Sequence, residues 1–285
     1  MFWVLPKSPI ENQVKNLFLE EYDAFIRYYD ISGEGETLVF LPGLSVASIA
    51  NFLPVATNPK LQIHRSIMVD YLGSGFSDYS DKFSYDMEDH AETVAGILEH
   101  ENITSAIVVG HSMGGTVAIM LAISRPDLVS KLIVGEGNLV PGGGAGTSKI
   151  ASFSKAEFIE NIYPQWCEDR VVSAKKGDEM ATLISGMWKT ANVEGLYENS
   201  RSLVELDARF KQKFFNLKIP KLFVYGENSI PKNPSDAKPD MPDPTELKEN
   251  GILIDTVPNA GHFLMFENLD GFVEVITKFI NKGKK

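Results

Sequence analysis

The stretch "VVGHSMGGTVAI", residues 108–119, sets a serine among glycines where one pattern gives way to another. Residues 105–109 are a short apolar run rich in β-branched side chains, which reads as a buried strand. From Thr116 the chain reads as a helix, because Val117, Met120 and Leu121 recur at helical spacing. Gly110, His111, Ser112, Met113, Gly114 and Gly115 join the two. So sharp a turn strains its central residue, and only small neighbours let strand and helix pass at close range. It holds the Ser112 hydroxyl out on a tip, at a helix N-terminus whose amides and dipole face incoming negative charge. Gly110-His111-Ser112-Met113-Gly114 is therefore read as a nucleophile elbow. Five positions can match by chance, and the flanking strand and helix are what make the match specific. A serine hydroxyl attacks poorly at neutral pH without an adjacent base, so the chain must supply one.

The elements that would position such a group recur along the chain. "LFLEEY" and "AFIRYYDIS", joined at Asp23, predict an N-terminal hairpin. "TLVFLPG", "SIMVDYLG", "SAIVVGHS", "KLIVGEGN", "KLFVYGEN" and "ILIDTVPNAGH" predict six further strands. Most are continuous apolar runs ending in a glycine-containing loop, the mark of a parallel sheet covered on both faces. Helical stretches such as 87–100 and 116–123 lie between them. The rhythm breaks over 139–215, which opens on "PGGGAG" and continues as amphipathic helical pieces carrying Trp166, Met180, Met187, Trp188 and Tyr197. Ser154 with Glu157 has the spacing of a capping box. This segment is read as a helical cap over the strand ends. The expected division is 1–138 and 216–285 for the core and 139–215 for the cap. The segment 229–243, with Pro231, Pro234, Pro239 and Pro242 among acidic residues, reads as a loop.

Bulk properties narrow the function. A chain of 285 residues buries a sizeable core without disulfides, and its single cysteine, Cys167, fits a reducing compartment such as the cytoplasm. A net charge of −11 argues against nucleic acid or an anionic membrane as partner. The start "MFWVLPKSPIENQ" lacks the pattern of a signal peptide, and the basic end "NKGKK" reads as solvated. The histidines, the cysteine and the carboxylates show no ligand spacing, so no metal is expected.

With "FLPGLS", "DYLGSGFSD", "GHSMGG" and "NAGHF" in this order, the chain resembles the α/β-hydrolase family over nearly its whole length outside the cap. The resemblance implies an eight-stranded, mostly parallel sheet flanked by helices, with the site at the strands' C-terminal edge. Ser112 would be the nucleophile and His262, late in the chain, the base. His64, His90 and His100 precede the serine and read as surface or helix-edge residues. The oxyanion hole would use the amides of Met113 and Leu44, although Pro42-Gly43 stands where many relatives have His-Gly. Gly73, Gly75 and Ser77 match a loop that buttresses the site, and Asp70 and Asp78 are read as structural. The acid departs from the common pattern. Ser229 holds the position after the seventh strand where an aspartate usually stands, and Glu227 is off register. Glu136 in "KLIVGEGN", 24 residues after Ser112 and between Gly135 and Gly137, resembles the acid that a minority of the family carries after the sixth strand. Glu227 is the alternative.

The resemblance implies a serine hydrolase acting on a small, mostly apolar ester or lactone, less often an amide or a carbon–carbon bond, and it implies no cofactor. A serine in the elbow disfavours epoxide opening and dehalogenation, which in this family use a carboxylate there. A ligand-binding protein on the same scaffold is the competing class. Trp166 and Trp188 are expected to line the substrate pocket, although they could equally form a small core within the cap.

Overall fold

A computed structural model describes residues 13–231 and 240–282. Most of the stretch "MFWVLPKSPIENQ", the end 283–285, and Pro234 and Pro239 of the 229–243 segment lie outside the described residues. β1 (Gln13–Leu19) and β2 (Ala24–Ile31) form an antiparallel hairpin that turns at Asp23, where φ is 50°. There follow β3 (Gly35–Leu41), α1 (Ser48–Ala56), β4 (His64–Asp70), α2 (Met87–His100), β5 (Ala106–His111), α3 (Met113–Ser124) and β6 (Val129–Gly135). After the insertion come β7 (Lys221–Gly226), α10 (Pro244–Glu249), β8 (Leu253–Val257), α11 (Leu264–Glu267) and α12 (Leu269–Ile280). The eight strands make one sheet in the order β1-β2-β4-β3-β5-β6-β7-β8. β2 runs antiparallel to both its neighbours and every other pairing is parallel.

The apolar runs follow from this layering. Every residue of β5 and of β7 is buried, because helices cover both faces. One core, with Val39, Val108, Val117, Leu132 and Phe223, lies under α2, α3 and α9 (Phe210–Asn216). The other, with Phe40, Phe52, Val109, Ile133 and Phe272, lies under α1, α11 and α12. α3 is buried from Met113 to Ala122, which suits its apolar character all round. It starts at Met113 rather than at the expected Thr116. A Cβ on Gly114 would stand 2.1 Å from the Leu41 carbonyl oxygen, and one on Gly115 2.9 Å from Val134 Cγ1. These glycines are helical, and they admit close packing rather than breaking the helix.

Between β6 and β7 lie α4 (Ala145–Ala151), α5 (Lys155–Glu157), a π-helical turn (Phe158–Ile162), α6 (Tyr163–Lys175), α7 (Glu179–Trp188), α8 (Val193–Val204) and α9. Ser154 supplies half of a capping box, accepting from the Glu157 amide at 3.2 Å. The insertion's apolar side chains divide. Ile150, Phe158 and Leu196 form a separate cluster with Trp166 and Tyr197 packed against it. Leu203, Leu206, Phe210, Phe214 and Phe215 instead join the core under the sheet. Among the described residues no helix is long and apolar enough to cross a membrane.

Candidate active site

β5, β6 and β7 are neighbours and parallel, so their C-terminal ends stand side by side. Ser112 follows β5 at the N-terminus of α3 with φ 54° and ψ −123°. That strained state is held by packing on both sides: a Cβ on Gly110 would come within 2.1 Å of the Gly114 carbonyl oxygen. Glu136 follows β6, and it too has a positive φ, 50°. Gly135 and Gly137 do not take that role. A Cβ on Gly135 would meet Leu264 Cδ1 at 2.9 Å, and one on Gly137 would meet Val134 Cγ1 at 2.7 Å. The positive φ therefore falls on Glu136 itself, and its flanking glycines let helices approach the strand end.

His262 lies in the loop between β8 and α11. Its Nδ1–H donates to Glu136 Oε2 at 3.1 Å, and Ser112 Oγ–H donates to its Nε2 at 3.1 Å. The tautomer is the one in which Nδ1 carries the proton and Nε2 is free to accept. The Glu136 side chain is 1% exposed, the His262 side chain 44%. Burial alone would raise the Glu136 carboxyl. The His262 ring, the Gly226 amide (2.8 Å to Oε1) and the Ser229 side chain outweigh it and hold the group below its ordinary value. Ser229 thus faces Glu136 from the seventh-strand position where the acid was missing. Glu227 faces elsewhere, accepting from the Asn259 amide at 2.8 Å.

The loop bearing His262 is clamped by groups that no motif announced. Glu267 accepts from the Gly261 amide at 2.8 Å and the Phe263 amide at 3.0 Å. His111 Nε2–H donates to the His262 carbonyl at 2.7 Å, and the two rings lie 5.1 Å apart. Burial, and the charge His262 would carry when protonated, push the His111 pKa down to about 3, so His111 stays neutral. The His111 contact spans 151 residues, and no local spacing could have indicated it.

The other expected residues fall as follows. Met113 is the first residue of α3, so its amide has no partner within the helix. Gly43 spends its amide on Asn51 Oδ1 at 3.0 Å, and Asn51 Nδ2–H reaches Met265 Sδ at 3.0 Å. This fixes the turn in which Leu44 follows, and the Leu44 amide makes no hydrogen bond among the described residues. Asp70 is buried and accepts from the amides of Ser48 and Phe76 and from the Ser48 hydroxyl, tying α1 to the glycine-containing loop after β4. A Cβ on Gly75 would strike its carboxylate. Asp78 pairs with Arg27 at 2.6 Å. Two histidines depart from expectation. His64 and His90 are buried, the latter on the inner face of α2, where its Nε2–H donates to Asn199 Oδ1 of α8 at 2.7 Å. Trp166 and Trp188 stack on each other with ring centres 6.3 Å apart, and both line a cavity of about 560 Å³ shared with Leu44, Ile150 and Leu196.

Residues 36–221 match the family described as alpha/beta hydrolase fold. A Haemophilus influenzae protein provisionally named an esterase/lipase is 27% identical over 77% of this chain and 75% of its own. An sn-1-specific diacylglycerol lipase of Mus musculus is 28% identical over 85% of this chain and 80% of its own. Among solved structures, a thermophilic esterase from Thermogutta terrifontis superposes with a TM-score of 0.74 at 17% identity, covering 95% of this chain and 98% of that one.

Proposed function

The chain belongs to the alpha/beta hydrolase fold family and is a hydrolase, and from that premise we propose that it is a serine hydrolase cleaving a small, mostly apolar ester or lactone through an acyl-enzyme. One observation carries the reading: the continuous line of hydrogen bonds from Glu136 through His262 to Ser112. In the proposed reaction His262 Nε2 takes the Ser112 proton as Oγ attacks the carbonyl carbon. The Leu44 and Met113 amides hold the oxyanion that forms. Glu136 keeps the Nδ1 proton in place and stabilises the imidazolium without itself becoming protonated. His262 then passes its proton to the leaving alkoxide as the acyl–oxygen bond breaks. Water, deprotonated by the same nitrogen, attacks the acyl-enzyme, and Ser112 recovers its proton.

The relatives named above support an ester as the bond cleaved, and the apolar wall offered by Trp166, Trp188, Ile150 and Leu196 supports an apolar acyl or alcohol portion. The single cysteine suits the cytoplasm. The test is labelling with a fluorophosphonate beside hydrolysis of a graded series of esters and lactones. Labelling confined to Ser112, with both labelling and turnover lost in Ser112→Ala, is the expected result. Turnover that survives in Ser112→Ala removes the nucleophile. A wild-type protein that binds apolar esters but neither turns them over nor takes the label is a binding protein on this scaffold.

A further inference from the structure

Two cationic side chains, Lys149 of α4 and Arg170 of α6, line the same cavity as Leu44, Trp166 and Trp188. Both are exposed. Neither forms an ion pair among the described residues, whereas Lys155 and Arg201 of the same insertion are each paired with glutamates. Lys149 Nζ lies 4.9 Å above the Phe153 ring. One carboxylate, Asp169, also lines the cavity, and its Oδ1 accepts from the Gln165 amide group at 3.0 Å. The lining thus carries two positive charges and one negative, in a chain whose net charge is −11.

The lining is mixed. Leu44, whose amide the proposed reaction assigns to the oxyanion, shares it with the apolar Trp166, Trp188, Ile150 and Leu196 and with the cationic Lys149 and Arg170. The aliphatic stems of Lys149 and Arg170 extend the apolar wall while their charges remain solvated. A neutral ligand would leave the excess positive charge of the lining uncompensated. A ligand ending in a single negative charge compensates the excess, and a guanidinium pairs a carboxylate bidentately.

We propose that Lys149 and Arg170 are specificity-determining residues that recognise a carboxylate on the substrate, remote from the scissile carbonyl and separated from it by an apolar spacer. The natural substrate is then the ester or lactone of an acid that carries a second, free carboxylate. This rests on the reading of the protein as an ester hydrolase.

The experiment compares 4-nitrophenyl esters of matched chain length ending in a carboxylate, a methyl ester or a trimethylammonium group, over a graded series of spacers. At the best spacer the wild-type kcat/KM for the carboxylate should exceed that for the methyl ester by about tenfold, the scale of one charge-assisted contact. The preference should shrink as salt is added. In Lys149→Met/Arg170→Met the ratio should fall towards one, and in Arg170→Glu the trimethylammonium ester should overtake the carboxylate. A ratio that is the same in wild type and both variants overturns the proposal, as does a wild-type preference for the neutral ester at every spacer. A second readout needs no turnover: decanoate and decanol titrated against tryptophan fluorescence. Decanoate should bind more tightly in wild type, and the advantage should vanish in the double variant. If no ester is cleaved and Ser112 takes no phosphonate while this advantage is present, the hydrolase reading fails and the anion site stands. If cleavage is seen but the advantage is absent or insensitive to the double variant, the anion site fails alone.

Discussion

Ser112 and Glu136 share a backbone state that non-glycine side chains seldom occupy, with φ of 54° and 50°. Each stands one residue beyond a parallel strand, and each is held there by neighbours without side chains. Strain of this kind persists only where the surroundings over-determine it. The serine was legible because its chemistry imposes a local pattern, the glycines on either side of a strand-to-helix turn. Glu136 was legible from two further features: a carboxylate at a strand end adjacent to β5, and a serine where the usual acid would stand. Exchange of Glu136 for glutamine keeps shape but hands His262 an amide that can favour the wrong tautomer. Turnover of Glu136→Gln should fall by something like 10³–10⁴, against about tenfold or less for Glu227→Gln, measured as kcat on one good ester. The reverse order would put the acid after the seventh strand. His111 was invisible as a functional group, because the variable position of an elbow carries no signal of its own. Its single bond to the His262 carbonyl makes it a positioning residue. His111→Leu should lower kcat by about tenfold or more while KM changes little, since a loosened imidazole affects proton transfer and not substrate binding. A variant that changes only KM, or only stability, would leave the clamp without a role in turnover.

At the scale of elements, the strands were the most legible part of the chain. β5 and β7 are apolar without interruption because both of their faces are covered, whereas a strand with one wet face would alternate apolar with polar. α3 begins three residues before the expected Thr116, since Gly114 and Gly115 look like helix breakers unless the close approach of Leu41 and Val134 is known. The insertion was legible as helical but not as two packing units, because its apolar residues look alike whichever core they join. Phe210 and Phe214 belong under the sheet, whereas Phe158 belongs to the cluster beneath Trp166. Trp166 and Trp188 both pack within the insertion and line a cavity. Their rings stack on each other, the Tyr163 hydroxyl donates to the Trp188 carbonyl at 3.0 Å, and both indoles face the cavity. We expect Trp166→Ala and Trp188→Ala to reorder the preference among acyl chain lengths, because the removed ring leaves a deeper apolar space. Kinetics over the graded esters, with thermal unfolding of each variant alongside, check this. A uniform slowing of every ester at unchanged stability would mean that the indoles hold the insertion in place and choose nothing.

At the scale of the whole molecule, the sheet collects three side chains far apart in sequence, and the insertion makes contacts with the core. One of those contacts is titratable. His90 of α2 donates to Asn199 of α8, with its ring 4.8 Å from that of Tyr71 and 4.9 Å from that of Phe83. Burial pushes its pKa from 6.5 down to about 4, against smaller opposing effects from Asn199 and Asp89. With His111, it makes a second imidazole kept neutral inside the fold. Both have folded values below their unfolded ones, so the unfolded chain takes up protons first as the pH falls. Stability is therefore complete above about pH 6.5 and is lost progressively down to about pH 4 for His90 and about pH 3 for His111. For a displacement of the size seen at His90 the loss is about 3 kcal/mol. Carboxylates held below their ordinary values, such as Asp30 and Glu101 in their network with Lys15 and Arg65, add to the decline at lower pH. His90→Gln retains a donor to Asn199 but cannot titrate. It should be less stable than wild type at pH 7, having lost ring contacts, yet its unfolding free energy should fall less between pH 7 and pH 4.5, by about 2 kcal/mol. Urea unfolding at fixed pH values across that interval measures both slopes. Parallel curves for the two proteins would mean that His90 does not contribute to the loss of stability in acid.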